Sequence, residues 1–418
     1  MKTKSIQSIK GTQDILPGEV HFWQAMERKI FEEMALFGFS EIRTPAFENT
    51  DLFSRSVGEQ TDIVSKEMYT FEDRSGGSLT LKPEATASVV RAFIQHNLDK
   101  INTLTRLFYI DALFRRERPQ KGRYRQFHQF GAELFGSEHP EADVEIISLA
   151  SSIFKSIGIN EITLKINTIG SKSARDNYKI ELKRFLKPHF NKLSEASKER
   201  FEKNPLRILD TKNSQEQEIL SNAPQIFEYL SEDDKAHFSD VEMHLKGLNI
   251  NFEFDPYLVR GLDYYNRTIF EFISSEIGSQ NAICGGGRYD SLVSQLGGSD
   301  TPSIGFAAGM ERILLAISNK KREESIDCYI VCMGNKAQDW VLKCANKLRS
   351  MKFSVCFDLL KRSLKSQMKE ANRLNAKHAI IIGENEINDN KFQVKDLDTG
   401  KQQEVAFEHI IKYFKNLF

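Results

Sequence analysis

Between Phe114 and Glu133 the chain reads FRRERPQKGRYRQFHQFGAE, and its charged residues fall where strand geometry can aim them. In a strand, alternate side chains share a face. Upstream, Phe108, Ile110, Ala112 and Phe114 make an apolar face, with Tyr109, Asp111, Leu113, Arg115 and Glu117 opposite. Downstream, Phe130, Ala132 and Leu134 are apolar, while Phe127, Gln129, Gly131 and Glu133 lie on the other face. An antiparallel hairpin joined by loop 118–125 then gathers Arg115, Glu117, Gln129 and Glu133 on one side. An amphipathic sheet with one solvated face gives the same pattern. Two features favour a site. Gly131, between two acceptors, reads as room left for something to approach. The loop RPQKGRYR offers guanidinium and ammonium donors suited to phosphate.

Other residues invite chemistry by type and place. Arg260 precedes Gly261 and Asp263 among turn-forming residues, so it does not read as a mid-strand surface charge. The run Gly285–Gly287 fits either a hairpin turn or a place where backbone approaches a ligand. Arg312 opens the body of a helix behind a Gly-rich turn in GFAAGMERILL. TIGSKSAR lacks the earlier glycine and the G-K-[ST] of a phosphate-binding loop, so any nucleotide must be held by side chains. The 9 histidines show neither H-E-x-x-H nor paired-ligand spacing, which argues against zinc. The 5 cysteines include no C-x-x-C pair and suggest free thiols in a reducing cytosol. Cys328 and Cys332 share a strand face with Ile330 and read as small buried residues.

Positioning these groups takes more than one core. A chain of 418 residues predicts two or three domains. Its 40% hydrophobic and 28% charged residues are ordinary for a globular protein. Lys+Arg and Asp+Glu both number 58, so there is no bulk cationic field for nucleic acid, although a local basic groove is compatible. MKTKSIQSIKG carries no apolar run after its lysines and does not read as a signal peptide. No stretch nears the roughly 20 apolar residues of a membrane span.

Residues 20–37 carry Phe22, Met26, Ile30 and Met34 at helical spacing, and FSEIRTPAF predicts a strand closed by Pro45. Residues 172–246, charged and poor in glycine, read as an inserted helical module. Strand patterns resume at INFEFDPYLV and RTIFEFIS, and a Gly-rich segment at 284–309 leads into the helix GMERILLAIS. The charged segment NKKREES (319–325) reads as a linker between domains 1–325 and 326–418. Beyond it CYIVCMG, FSVCFD and HAIIIG alternate with two helical segments, predicting a small parallel α/β domain with helices on both faces.

FRRERPQKGRYRQFHQFGAE resembles the second signature motif of class II aminoacyl-tRNA synthetases, and GFAAGMERILL resembles the third. IRTPAFENTDLF, with Pro45, resembles the first, which in that family lies at a dimer interface. LVRGLDYYNRTIFEF (258–272) and GGGRYDSLVSQLGG (285–298) resemble segments peculiar to the histidyl-tRNA synthetases, and KGTQDILP (10–17) and TLKPEATASVVR (80–91) fit the same family. The likeness implies an α+β catalytic domain on an antiparallel sheet with flanking helices and a helical insertion, followed by a small α/β anticodon-binding domain. It implies a ligase that joins the histidine carboxylate to the ATP α-phosphate, expels pyrophosphate, and passes the histidyl group to the 3′ end of tRNA(His).

The same resemblance assigns roles. Arg115 would grip the α-phosphate, Glu117 would accept from the adenine amino group, and Arg312 would hold the γ-phosphate. Arg123 is a further phosphate candidate, although its spacing equally suits a solvated loop charge. Mg²⁺ would ride on the triphosphate's own oxygens and water, with no protein metal site. Glu84 and Thr86 would meet the α-ammonium, and Gln129 would orient the carboxylate. Glu133 and Tyr265, with Tyr264 beside them, would hold the imidazole. Glu84 also fits a first-turn helix acid favoured by the dipole, and Tyr265 a core aromatic with its hydroxyl at the surface. Arg260 would be a catalytic cation beside the α-phosphate, where other class II enzymes use a metal. Gln120 would lie near the extra 5′ guanosine of tRNA(His). A cytoplasmic homodimer is implied.

Two rival readings remain. One is a synthetase-like regulatory subunit of ATP phosphoribosyltransferase, which lacks the anticodon-binding domain; the tail from 326 to 418 weighs against it. The other is a pseudo-enzyme that only binds RNA, against which stand Arg115, Glu117, Arg260 and Arg312 together.

Overall fold

The computed structural model describes residues 5–58, 61–277, 282–317 and 325–417. The chain forms two compact units, Met1–Ser318 and Asn319–Phe418. Residues 319–324 of the charged segment read as a linker lie outside the described residues.

In the larger unit, helix Pro17–Leu36 begins with a proline that loses only an N–H without an intrahelical partner. It buries Trp23, Met26, Ile30 and Met34, so Trp23 rather than Phe22 heads the apolar stripe. The segment expected to be one strand ending at Pro45 divides instead. Ser40–Glu41 pairs in parallel with Thr105–Phe114, whereas Phe47–Asn49 joins a separate three-stranded sheet. Pro45, which has no N–H for a ladder, lies in the break.

The main sheet has 8 strands, in the order Ser40–Glu41, Thr105–Phe114, Gln126–Phe135, Ser303–Gly309, Ala282–Arg288, Asn266–Ser274, Ile162–Thr168 and Glu253–Phe254. Its interior is antiparallel, and only the two end pairs run parallel. Alternation sends Phe108, Phe130, Ala132, Leu134, Phe270 and Phe272 into one core, under helices Pro17–Leu36 and Pro140–Ser156. Leu107, Tyr109, Leu113, Phe135 and Ile269 enter a second core on the opposite face. The face carrying Glu133 is therefore roofed rather than solvated, contrary to the simplest amphipathic reading.

That roof is partly the insertion. Helix Lys172–Leu186 contributes Tyr178, Leu182 and Leu186, and the turn Pro205–Ile208 contributes Leu206 and Ile208. Helix Glu232–Gly247, started by Ser231 accepting from the Asp234 N–H, instead packs Phe238, Val241 and Leu245 into the first core. The helical run at 172–246 thus serves both faces.

The smaller unit contains a sheet ordered Val355–Phe357, Cys328–Cys332, His378–Ile382, Lys391–Asp396, Gln402–Ala406. Its first three strands are parallel and its last two antiparallel, so the predicted all-parallel domain is a mixed one. Helix Gln338–Arg349 packs on the face with Cys328 and Ile330, and helix Leu364–Arg373 on the face with Tyr329 and Val331. Together the units form an α+β domain built on an antiparallel sheet, followed by a small α/β domain.

Candidate functional site

Two adjoining cavities, of about 250 and 180 Å³, share a wall of Arg115, Gln129, Arg260, Gly285 and Ala307. A larger open cleft of about 930 Å³ lies between the insertion and the sheet's far edge. Its charged lining is Glu161, Asp210, Glu253, Asp255 and Glu271 against Lys165 and Lys212, which is the wrong sign for a polyphosphate.

The outer cavity is lined by Arg115, Arg123, Arg260 and Arg312, with Glu117, Phe127 and Glu271 among them. Arg115 is aimed from the strand end: its Nε donates to the Pro83 carbonyl at 2.8 Å, and its guanidinium lies 5.2 Å over the Phe127 ring. Glu117 sits 3.8 Å from Arg115 and 3.3 Å from Arg123. The loop between them is tight, because Gln120 and Arg123 exchange backbone hydrogen bonds of 3.2 and 2.9 Å. Gln120 is exposed at its tip. Arg312 donates to the Ala282 carbonyl at 2.6 Å. Burial and then the nearby Arg123 pull its pKa down, against the pull of Glu117 and Glu271. Arg312 follows a strand, Ser303–Gly309, rather than the turn its glycines suggested.

Arg260 bridges the cavities and pairs with Glu271 at 2.7 Å. Glu271 was not among the candidates; its signal is a carboxylate between Phe270 and Phe272 in an apolar strand. Gly285–Gly287 lies inside strand Ala282–Arg288, so it is no hairpin turn. The space its glycine leaves serves Arg260, since a Cβ at Gly285 would overlap the guanidinium.

In the inner cavity Glu133 is 1% exposed. Its Oε1 accepts from the Thr86 hydroxyl at 2.8 Å and from Tyr109 at 3.4 Å, and its Oε2 accepts from Tyr289. Burial pushes its pKa up to about 8, against the pull of the Tyr289 and Thr86 hydroxyls. Tyr109 and Tyr289 were both missed. The clue to Tyr109 was Gly131 directly opposite it, because a Cβ there would overlap the tyrosine hydroxyl. The room at Gly131 is thus filled from within and not left for a ligand. Tyr264 and Tyr265 are buried side by side, ring centroids 4.7 Å apart, and both line this cavity. Burial pushes the Tyr265 hydroxyl up to about 12.

Glu84 also lines the cavity, but its oxygens accept from the Thr86 and Ala87 N–H groups at 2.9 and 2.8 Å. It therefore caps helix Thr86–Gln95 from just before its start, rather than sitting in its first turn. Behind the wall, Arg288 and Asp143 form a fully buried pair with contacts of 2.6 and 2.7 Å, fixing the strand end that carries Tyr289.

Every candidate from the first hairpin, the 84–86 turn, the 260–265 segment and Arg312 thus borders one continuous hollow, apart from exposed Gln120. A family model described as histidyl-tRNA synthetase matches residues 11–313, and one described as anticodon binding domain matches 327–417. The histidine–tRNA ligase of Chloroherpeton thalassium is 48% identical over 407 residues, covering 96% of this chain and 95% of that protein. That of Bacillus subtilis is 46% identical over 414 residues, covering 97% of each. The apo S. aureus histidyl-tRNA synthetase structure superposes with a TM-score of 0.83 at 37% identity, covering 98% of this chain and 100% of that one. A Bacillus halodurans structure described as an ATP phosphoribosyltransferase regulatory subunit/histidyl-tRNA synthetase reaches 0.67 at 22% identity, covering 91% of this chain and 99% of that one, which shows a shared fold.

Proposed function

The chain belongs to the histidyl-tRNA synthetase family, and from that premise we propose how its two cavities divide the reaction. The protein is a ligase that activates histidine with ATP and transfers it to tRNA(His). Histidine occupies the inner cavity. Glu133 and Tyr265 meet its ring nitrogens, Tyr264 packs alongside, Glu84 and Thr86 take the α-ammonium, and Gln129 orients the carboxylate into the shared wall. MgATP occupies the outer cavity, with the adenine amino group on Glu117, the α-phosphate on Arg115, and the outer phosphates on Arg123 and Arg312.

The observation that carries this reading is Arg260 at the junction, held by Glu271 at 2.7 Å. It stands where the histidine carboxylate must reach the α-phosphate. The carboxylate is ionised at neutral pH, so no general base is required. What the reaction needs is positive charge aimed at the oxygens that gain charge during attack, and fixed guanidiniums supply it. Glu117 and Glu271 are engaged by arginines, so the magnesium ion enters with its nucleotide.

The tail 327–417 reads the anticodon, and exposed Gln120 meets the acceptor end. The protein works as a cytoplasmic homodimer. Exposed Phe47 and Phe71, with centroids 6.4 Å apart beyond the Pro45 segment, support a subunit contact there. The regulatory-subunit alternative is disfavoured because identity is 46–48% to the histidine–tRNA ligases and only 22% to the structure described as such a subunit. Histidine-dependent exchange of pyrophosphate into ATP tests the assignment: it should occur with histidine and with no other standard amino acid. Exchange with another amino acid, or none with histidine, overturns it.

A further inference from the structure

Arg175 stands on the first helix of the insertion, Lys172–Leu186, yet its guanidinium reaches the segment that carries two of the site's tyrosines. Its Nη1 donates to the carbonyl oxygens of Asp263, at 3.4 Å, and of Tyr265, the residues flanking Tyr264. Its Nε is buried without a hydrogen-bond partner. Among the described residues no carboxylate forms an ion pair with it. Arg175 is half-buried, and a guanidinium drawn partly out of water without a carboxylate partner is costly. One committed to backbone carbonyls fixes the position of those carbonyls instead.

Neighbouring contacts repeat the link. The Asn204 side chain donates to Asp263 Oδ1 at 2.7 Å, and the Asp263 N–H donates to the Val57 carbonyl at 3.3 Å. Arg207 pairs with Asp62 at 3.1 Å, immediately before the turn Ile63–Glu67. That turn is π-helical, a form that is rare and frequent at functional sites. Its Ile63 lines the inner cavity. Arg175, Asn204 and Arg207 all belong to the insertion; of their partners, Tyr265 lines the inner cavity, Asp62 precedes its Ile63, and Asp263 stands between its Leu262 and Tyr264.

We propose that the helical insertion positions the amino-acid pocket, with Arg175 as the positioning residue that sets Tyr264 and Tyr265 through the 263–265 backbone. The inference rests on the reading that these tyrosines hold histidine. Its test uses the full-length protein in histidine-dependent ATP–pyrophosphate exchange. Arg175→Ala is expected to raise the KM for histidine by roughly ten- to thirtyfold, the loss of a charge-assisted hydrogen bond, with the KM for ATP nearly unchanged. Arg175→Lys should recover part of the loss, since an ammonium still donates to one carbonyl. Asn204→Ala, which leaves the Arg175 guanidinium in place, should raise the histidine KM several-fold and carries the test should Arg175→Ala fail to fold. Folded variants with an unchanged histidine KM overturn the proposal, as do equal increases for histidine and ATP. Tyr265→Phe separates the two readings. A raised histidine KM there, with none in the Arg175 and Asn204 variants, removes only the positioning role; no change in any of them removes the pocket assignment as well.

Discussion

Glu133 is a carboxylate almost without solvent, with three hydroxyls on its two oxygens. Its pKa of about 8 means that the folded, empty protein keeps this proton where an unfolded chain has lost it. The raised pKa stabilises the fold below the unfolded value of about 4.3, and that contribution is lost as pH rises through about 8. Glu133→Gln should flatten the pH dependence of stability in that window, as urea titrations would reveal. Histidine binding should follow the same proton. A complex sharing one proton between Glu133 and an imidazole of pKa about 6.5 binds best between that value and about 8. The histidine KM should rise on either side, whereas a flat profile would place the imidazole elsewhere. At Arg260 the expected loss is in rate. Arg260→Ala should slow adenylation by roughly 10²–10³ and affect substrate binding less. Arg260→Lys should restore only part, because a point charge cannot reproduce the planar fork. A single-turnover assay showing near-normal adenylation would move the chemistry to Arg115 and Arg312.

Among the elements, strand Ala282–Arg288 carries two burdens: its glycine admits the Arg260 guanidinium, and its last residue anchors the strand to helix Pro140–Ser156. Arg288 and Asp143 are both 0% exposed. Their attraction must offset a large desolvation cost, and removing Asp143 strips Arg288 of its fully buried partner, leaving half-buried Asp290 at 3.1 Å and the Ser137 and His139 carbonyls. Asp143→Ala should therefore destabilise the larger unit by about 3–5 kcal/mol in urea unfolding. A double change to Asp143→Ala with Arg288→Met should recover much of that stability. If Asp143→Ala costs under about 1 kcal/mol, Asp290, already 3.1 Å from Arg288, compensates the charge by itself.

For the whole molecule, two compact units divide the labour proposed here. Deleting 326–418 should impair tRNA charging far more than adenylate formation, with exchange and charging assays compared on the same folded truncation. Equal losses would refute the division. Sequence patterning alone conveyed much of this protein. Period-two alternation located the Thr105–Phe114 and Gln126–Phe135 hairpin, and residue spacing located the helices, because both report local backbone geometry. Motif likeness conveyed the family. Contacts between distant segments were decided only by tertiary structure. Register opposes Gly131 to Tyr109, and three hydroxyls distant in sequence converge on Glu133. Glu271 meets Arg260 across a bend that no periodicity encodes. Antiparallel strands at the end of the smaller sheet escaped a strand–helix–strand reading, because pairing direction is set by chain reversal and not by composition. Alternation tells which residues share a face, while only packing decides what covers that face, and here a roof of insertion and tyrosines turns a polar strand face into a pocket.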